Sequence, residues 1–153
     1  MRSYPANSPQ AAARIVALSM LADSHVCANE LQTLKREKLD KSLGITEDQF
    51  DSIVRALCED LMCAAHLSWS DVCRPDSEAM RLVVREIQDP VMQAEVLRLC
   101  IATVRADGHI GAAEVSMLEA LAHAWKIPLD ARSLAEKGHA AHPLHTSTST
   151  RSM

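Results

Sequence analysis

Two short segments of this chain carry residue types that could bind a cation, and they share one pattern. Residues 22–31 and 106–115 both contain Ala-Asp, a small residue, His, a β-branched apolar residue, and a Glu seven positions after the Asp. An apolar helical pattern leads into each segment, and another leads out of it. We therefore predict that each segment is the corner between two helices in a duplicated helical fold.

Each predicted corner offers oxygen ligands for a hard divalent cation. Asp23 and Asp107 follow the C-terminal ends of predicted helices, where unpaired carbonyl groups carry partial negative charge. Glu30 and Glu114 lie in the first turn of the next helix and so return to the corner. Two carboxylates and several carbonyl oxygens suit calcium or magnesium, with water completing the coordination. These four side chains are the candidate metal ligands.

The second corner has the spacing of the last part of a calcium-binding EF-hand loop. In that register Asp107, Gly108 and Glu114 occupy the fifth, sixth and twelfth positions. The first and third positions fall on Thr103 and Arg105, which cannot supply the carboxylates that the loop requires. The pattern therefore excludes a working EF-hand and leaves a looser cation site as one interpretation.

The same carboxylates also have a purely structural interpretation. Both glutamates stand three residues after a predicted N-cap, Cys27 or Gly111, so each could accept a hydrogen bond from the backbone N–H of that cap. Both aspartates could accept from the amides of the turn. A cap of this kind contributes about 1 kcal/mol, which is enough to explain the repeated pattern. The sequence leaves the two interpretations open.

Histidines are the other candidate ligands at the corners. His25 and His109 occupy the same position in the two segments and could join a transition-metal site. A turn of the EF-hand type, however, uses the carbonyl group of that residue and leaves the imidazole exposed. Neither histidine is therefore included among the predicted ligands.

The elements that must position these corners are helices. Few β-branched runs alternate with period two, and glycine and proline fall between long helical patterns. The 153 residues are 48% hydrophobic but only 3% aromatic, so the core must consist of Leu, Val, Ile, Ala and Met. We predict an all-α fold, a single compact bundle of about seven helices with an internal pseudo-two-fold repeat.

Capping residues place the ends of these helices, with starts or stops at Ser8-Pro9, Thr46-Gln49, Asp89-Pro90 and Gly44. The predicted helices run over about 8–23, 28–43, 46–66, 75–87, 91–107, 112–125 and 129–139. The helix over 91–107 is the most apolar of them, which predicts that it is the central one. Met62 is predicted to face the core, and residues 1–7 are predicted to be a disordered lead-in.

The domain is predicted to span residues 8–138, with one half at 8–66 and the other at 76–138. From 139 to 153 the composition turns to Ser, Thr, His and Ala, which predicts a disordered tail.

Composition excludes several classes of function. A formal charge of -4 argues against nucleic acid, since phosphate binding needs a dense Lys/Arg face. The 5 cysteines include no Cys-x-x-Cys pair, so we predict neither a disulfide framework nor a zinc ribbon, and a reducing, cytoplasmic location follows. No apolar run predicts a signal peptide or a transmembrane segment. No nucleophile lies at a spacing that implies a neighbouring base, so the chain is predicted not to be an enzyme.

The duplicated Ala-Asp-Gly-x-Ile-x-x-x-Glu pattern after an apolar helix resembles the TerB-like tellurite-resistance family. The resemblance covers about residues 10–138 and is strongest at 105–121. It implies a compact bundle of about seven helices with internal pseudo-symmetry, and metal ions bound at the acidic corners. The chain departs from the family pattern at Ser24, where Gly is usual, and at Cys27, where Ser, Thr or Asp is commoner. The ligands that the resemblance implies are Asp23, Glu30, Asp107 and Glu114.

Two functions are compatible with these observations. The first is a non-enzymatic, cytoplasmic, TerB-like protein that binds a divalent cation at its corners in a metal or tellurite stress response. The second is an interaction module, in which the corners are helix caps and an apolar groove docks a protein, a lipid or a membrane-associated complex. They differ in whether the four carboxylates converge with open oxygens or each points back at its own backbone.

Overall fold

Helices make up the whole of the regular structure that can be described for this chain. The structure is a computed structural model, and it describes residues 1–22, 28–37, 39–63, 77–106 and 108–130, apart from the side chains of 28–30 and 36. Within these ranges there are seven α-helices and no β-strand, which confirms the all-α prediction. The helices are α1 (Pro9–Leu21), α2 (Ala28–Arg36), α3 (Leu39–Ser42), α4 (Glu47–Cys63), α5 (Glu78–Arg85), α6 (Pro90–Val104) and α7 (Ala112–Trp125).

Helix α1 lies at the centre of the bundle. It begins as predicted, with the hydroxyl of Ser8 accepting from the N–H of Ala11 at 3.1 Å and with Pro9 in the first turn. It packs against α4, α5, α6 and α7, and every residue from 11 to 22 is buried. The prediction that the helix over 91–107 is central was therefore wrong, because α1 has no face left for solvent.

The core consists mainly of the aliphatic residues and methionines that the composition predicts, together with Phe50, Trp125 and Cys100. Met20, Met80 and Met117 are buried, but Met62 is 75% exposed, so its predicted inward position was wrong. In α4 the buried stripe ends at Leu61. Met62 follows about 100° further around the helix axis, which turns its side chain to solvent.

The single helix predicted over 28–43 is two helices, α2 and α3, so this prediction was also wrong. Leu34, Leu39 and Leu43 are all buried. In an uninterrupted helix Leu39 would lie about 140° around the axis from Leu34, and Leu43 about 180°. All three can reach the core only because the chain changes direction between α2 and α3. The hydroxyl of Ser42 donates to the carbonyl of Glu37 at 3.1 Å across this change of direction.

Local capping signals fix the other helix ends as predicted. Gly44 has a φ of 73°, the left-handed conformation expected of a residue that stops a helix. Thr46 and Gln49 form a reciprocal capping box, with distances of 2.9 and 3.2 Å. The carboxylate of Asp89 accepts from the N–H of Met92 at 3.0 Å and caps α6.

Residues 1–7 are not the disordered lead-in that the sequence predicts. Arg2 contacts α4, Tyr4 contacts Glu86 just after α5, and the side chain of Asn7 accepts from two backbone N–H groups at 88 and 89. The prediction was wrong because the segment is held by polar contacts to residues far along the chain, which no local pattern shows.

Three further predictions fall on parts of the chain outside the described residues. These are the junction between the halves predicted at 67–75, the last predicted helix beyond 130, and the tail predicted over 139–153. The first corner lies outside them as well, so the pseudo-two-fold relation between the halves 8–66 and 76–138 stays a prediction. Among the described helices, none combines the length and the apolar content that a membrane span requires.

Candidate functional site

The second corner joins α6 to α7 through a short turn that ends in a left-handed glycine. The N–H of Ala106 donates to the carbonyl of Thr103 at 3.0 Å, and the N–H of Gly108 to that of Arg105 at 3.1 Å. These bonds span three residues, so they tighten the chain and end the helix at Val104, before its predicted end at 107. Gly108 has a φ of 76°, which a glycine adopts without the steric cost of a Cβ atom.

Glu114 returns to this corner from the first turn of α7 and caps the helix. Its Oε2 accepts a hydrogen bond of 2.6 Å from the backbone N–H of Gly111, the N-cap residue. The side chain is 2% exposed. A buried carboxylate is stabilised here because the unpaired N–H groups of a helix N-terminus carry partial positive charge. The geometry at Glu114 is therefore the one that the capping interpretation predicts.

Ile110 and His109 precede this cap in the turn. Ile110 is half-buried and packs against the core, while His109 is exposed. The side chain of Ile110 thus anchors the turn from inside. That His109 is not among the metal ligands stays a prediction, and its counterpart His25 lies outside the described residues.

The other three candidate carboxylates cannot be compared with Glu114. Asp23 and Asp107 lie outside the described residues, and Glu30 falls in the first turn of α2, where the side chain is not described. Among the residues that the structure does describe, no group of three or more His, Cys, Asp or Glu side chains could hold a metal ion. Calcium or magnesium binding at the corners therefore stays a prediction.

Sequence reasoning missed a buried charged cluster around Arg14, near the middle of α1. Arg14 is 2% exposed, and its guanidinium donates to the carbonyl of Arg2 and to Oε2 of Glu86. The ring of Tyr4 lies over the same guanidinium, with its centroid 4.8 Å from the Arg14 Cζ atom. One signal was present in the sequence: a lone arginine in a helix of otherwise apolar residues needs an acceptor. The acceptor could not be identified, because Glu86 lies far along the chain.

A groove lies on the surface between α3 and the first turns of α6. It has a volume of about 870 Å³ and is lined by 41–43 from one side and by residues of 89–98 from the other. Val91, which is 77% exposed, lies on its rim. Arg98 lies at the far end of the groove, where its guanidinium donates to Glu95 at 2.9 and 3.0 Å and to Glu37 at 2.6 Å. The hydrogen bond from Arg98 holds the pKa of Glu95 below its usual range.

Comparison of the chain with protein-family models, with curated proteins and with solved structures gives no match. The resemblance to the TerB-like family therefore stays a prediction that rests on the residues of the two corners.

Proposed function

We propose that this chain is a non-enzymatic interaction module whose acidic corner at α7 is a structural helix cap. The observation that carries the proposal is the hydrogen bond of 2.6 Å from the N–H of Gly111 to the carboxylate of Glu114. A carboxylate that points back at its own N-cap is what the structural interpretation of the corners predicts. If the corner is structural, the remaining interpretation of the chain is that it acts through its surface, by binding another protein.

The groove between α3 and α6 supports this proposal. A β-branched apolar side chain as exposed as Val91, beside the exposed Pro90 and Ala94, presents apolar area to solvent. Apolar area framed by polar residues is typical of surfaces that bind proteins. Arg98, held by its two carboxylate partners, supplies the polar frame.

A second candidate function is binding of a divalent cation, calcium or magnesium, at the corners. It is favoured by the order of the corner itself, with a left-handed Gly108, an inward Ile110 and Glu114 in the first turn of the next helix. The resemblance to the TerB-like family adds to it, and would place the protein in a cytoplasmic response to tellurite or metal stress. In this function Asp107 would join Glu114 in holding the ion.

One matched pair of variants separates the two functions. Glutamine can accept the same N-cap hydrogen bond as glutamate but carries no charge, so Glu114→Gln keeps the cap and weakens a calcium or magnesium site. Glu114→Ala removes both. The experiment is a calorimetric titration of metal-stripped full-length chain with calcium and with magnesium, together with urea unfolding of both variants.

The proposed function predicts no saturable binding up to millimolar metal. It also predicts that Glu114→Ala loses about 1 to 2 kcal/mol of unfolding free energy, because it deletes the cap and leaves the N–H of Gly111 without that acceptor. Glu114→Gln should stay close to the wild type. Saturable binding with simple stoichiometry, weakened in Glu114→Gln and lost in Glu114→Ala, would instead establish the cation function.

A further inference from the structure

Residues 1–7, which we call the strap, fill a groove on the surface of the helical bundle. The floor of the groove is Arg14 of α1, one wall is the last turns of α4, and the other wall is Glu86 just after α5. Within the strap only the side chain of Tyr4 is partly buried, and the other side chains are exposed. The strap therefore covers the groove from outside and contributes little to the core.

Both ends of the strap are held by hydrogen bonds and ion pairs. Near the start, the guanidinium of Arg2 donates to Glu59 at 2.7 Å and to the carbonyl of Ala56 at 2.8 Å, and its backbone N–H donates to Asp60 at 2.8 Å. At the other end, the N–H of Asn7 donates to the carbonyl of Glu86 at 2.7 Å. The groove thus binds the strap through hydrogen bonds to its backbone as well as to its arginine side chain.

The middle of the strap is held by an aromatic ring and by one carboxylate. The ring of Tyr4 covers the guanidinium of Arg14, and its backbone N–H donates to Oε1 of Glu86 at 3.0 Å. The hydroxyl of Ser3 donates to the same oxygen at 3.3 Å. A segment suited to this groove therefore carries an arginine and, two positions later, an aromatic residue.

One feature indicates that this occupant can be replaced. The ion pair between Arg2 and Glu59 is solvent-exposed, with side chains 48% and 55% accessible, and pairs of this kind contribute little to stability. Asn7, which leads into α1, has a φ of 58°, a left-handed conformation that asparagine adopts more readily than most residues with a Cβ atom. The start of the strap is thus held in part by a contact that solvent can replace.

The strap also leaves one buried donor of the groove without an acceptor. The Nε atom of Arg14 is buried and has no hydrogen-bond partner among the described residues. A segment that added an acceptor for this atom would bind the groove better than the strap does, because a buried unpaired donor is unfavourable.

We propose that the groove under the strap is a docking site for a segment of another protein that carries Arg-x-aromatic and displaces the strap. Charge favours such a partner, because Glu59, Asp60 and Glu86 outnumber Arg14 and make the groove acidic. A second copy of this chain is a poorer partner, since its identical segment competes with a tethered strap at high effective concentration. The inference rests on the proposed function, in that it names the surface and the partner chemistry of the interaction module.

The test uses a fluorescent synthetic peptide with the sequence of residues 1–7 as the probe, added to the full-length chain. Two variants loosen the strap in different ways: Tyr4→Ala removes the ring over Arg14, and Arg2→Glu places a negative charge beside Glu59 and Asp60. The apparent dissociation constant should be about tenfold lower for these variants than for the wild type, because the tethered competitor is weakened. Control peptides carry the same substitutions, Tyr4→Ala or Arg2→Glu, and should not bind.

Several results would overturn the proposal. One is the absence of saturable peptide binding to variants whose circular dichroism and unfolding midpoint match the wild type. Another is equal binding to wild type and variants, which would place the peptide elsewhere. Loss of helical structure in both variants would show that the strap is required for the fold. If the wild-type chain forms dimers that the peptide dissociates, the docked segment comes from a second copy of this chain and not from another protein. The metal titration of the Glu114 variants does not involve this groove, so the two proposals fail separately.

Discussion

Replacing Glu86 with alanine removes the acceptor that holds a buried guanidinium. Arg14 is 2% exposed, and its guanidinium donates to the Arg2 carbonyl and to the Glu86 carboxylate. In the variant only the first of these two hydrogen bonds is left. Removing one partner of a buried ion pair costs about 3 to 5 kcal/mol. Because the Glu86 side chain is 13% accessible, water can replace part of the lost contact. We therefore expect a loss near the lower end, about 3 kcal/mol.

A loss of this size is easy to measure. In a chain of 153 residues, about 3 kcal/mol lowers the unfolding midpoint temperature by roughly 6 to 12 °C. Urea unfolding followed by circular dichroism gives the free energy directly. The matched control is the double variant Arg14→Met/Glu86→Leu, which replaces both charged partners by apolar residues of similar size. It should lose about 1 kcal/mol or less, since no charge is left buried without a partner.

Two results would refute this reasoning. If Glu86→Ala unfolds within about 1 kcal/mol of the wild type, the buried guanidinium does not depend on this carboxylate. If the double variant loses as much as the single variant, the cost comes from packing at this site and not from an unpaired charge.

Three further predictions concern single positions. Gly108→Ala should cost about 1 kcal/mol of unfolding free energy in a urea titration, because φ is 76° while no atom lies within 4 Å of the added Cβ; a larger loss would mean that the turn is also packed. Leu61→Ala should cost about 2 to 5 kcal/mol and Met62→Gln less than about 0.5 kcal/mol in the same assay, and similar losses at both would contradict the exposure of Met62. Burial raises the pKa of the Cys100 thiol from 9.0 to about 12, so the folded state keeps a proton that the unfolded state releases and stability should fall as the pH rises from 9.0 toward 12. Cys100→Ala should show a smaller fall in unfolding free energy over that range, and an equal fall would assign it to other groups.

The parts of the fold that could be predicted from the sequence depend on contacts between close neighbours along the chain. The starts at Ser8, Thr46 and Asp89 rest on hydrogen bonds that span three residues, and each of them is present. The stop at Gly44 rests on a single backbone conformation. Local signals of this kind are complete in the sequence, so the helix ends that they mark are confirmed.

The errors come from contacts between residues that are far apart. The strap looked unstructured because its partners are in α4 and after α5, beyond the reach of any local pattern. The break between α2 and α3 is set by which leucines reach the core, and that depends on the helices packed around them. Met62 is a different case, because its apolar character favours the core while the helical period turns it about 100° away from the buried Leu61.

The candidate site divides in the same way. The cap at Glu114 is local, since the carboxylate and its donor at Gly111 are three residues apart, and the sequence predicts it as one of two interpretations. Whether carboxylates of two corners meet depends on the packing of α1, α2, α6 and α7 around them. The groove under the strap depends on three separate parts of the chain, and a single sequence carries no sign that they meet.

A helix buried on every side also has a consequence for how the chain is made. Residues 11–22 have no exposed face, and their partners α4, α5, α6 and α7 all follow later in the sequence. On the ribosome, this apolar segment therefore emerges before the helices that cover it, and it is open to aggregation or to chaperones until α6 and α7 have been synthesised. In the finished protein the same arrangement limits local opening, because apart from Arg14 under the strap α1 is uncovered only when the bundle comes apart. Its amide hydrogens should thus exchange with solvent only through global unfolding, and their rate reports the stability of the whole chain.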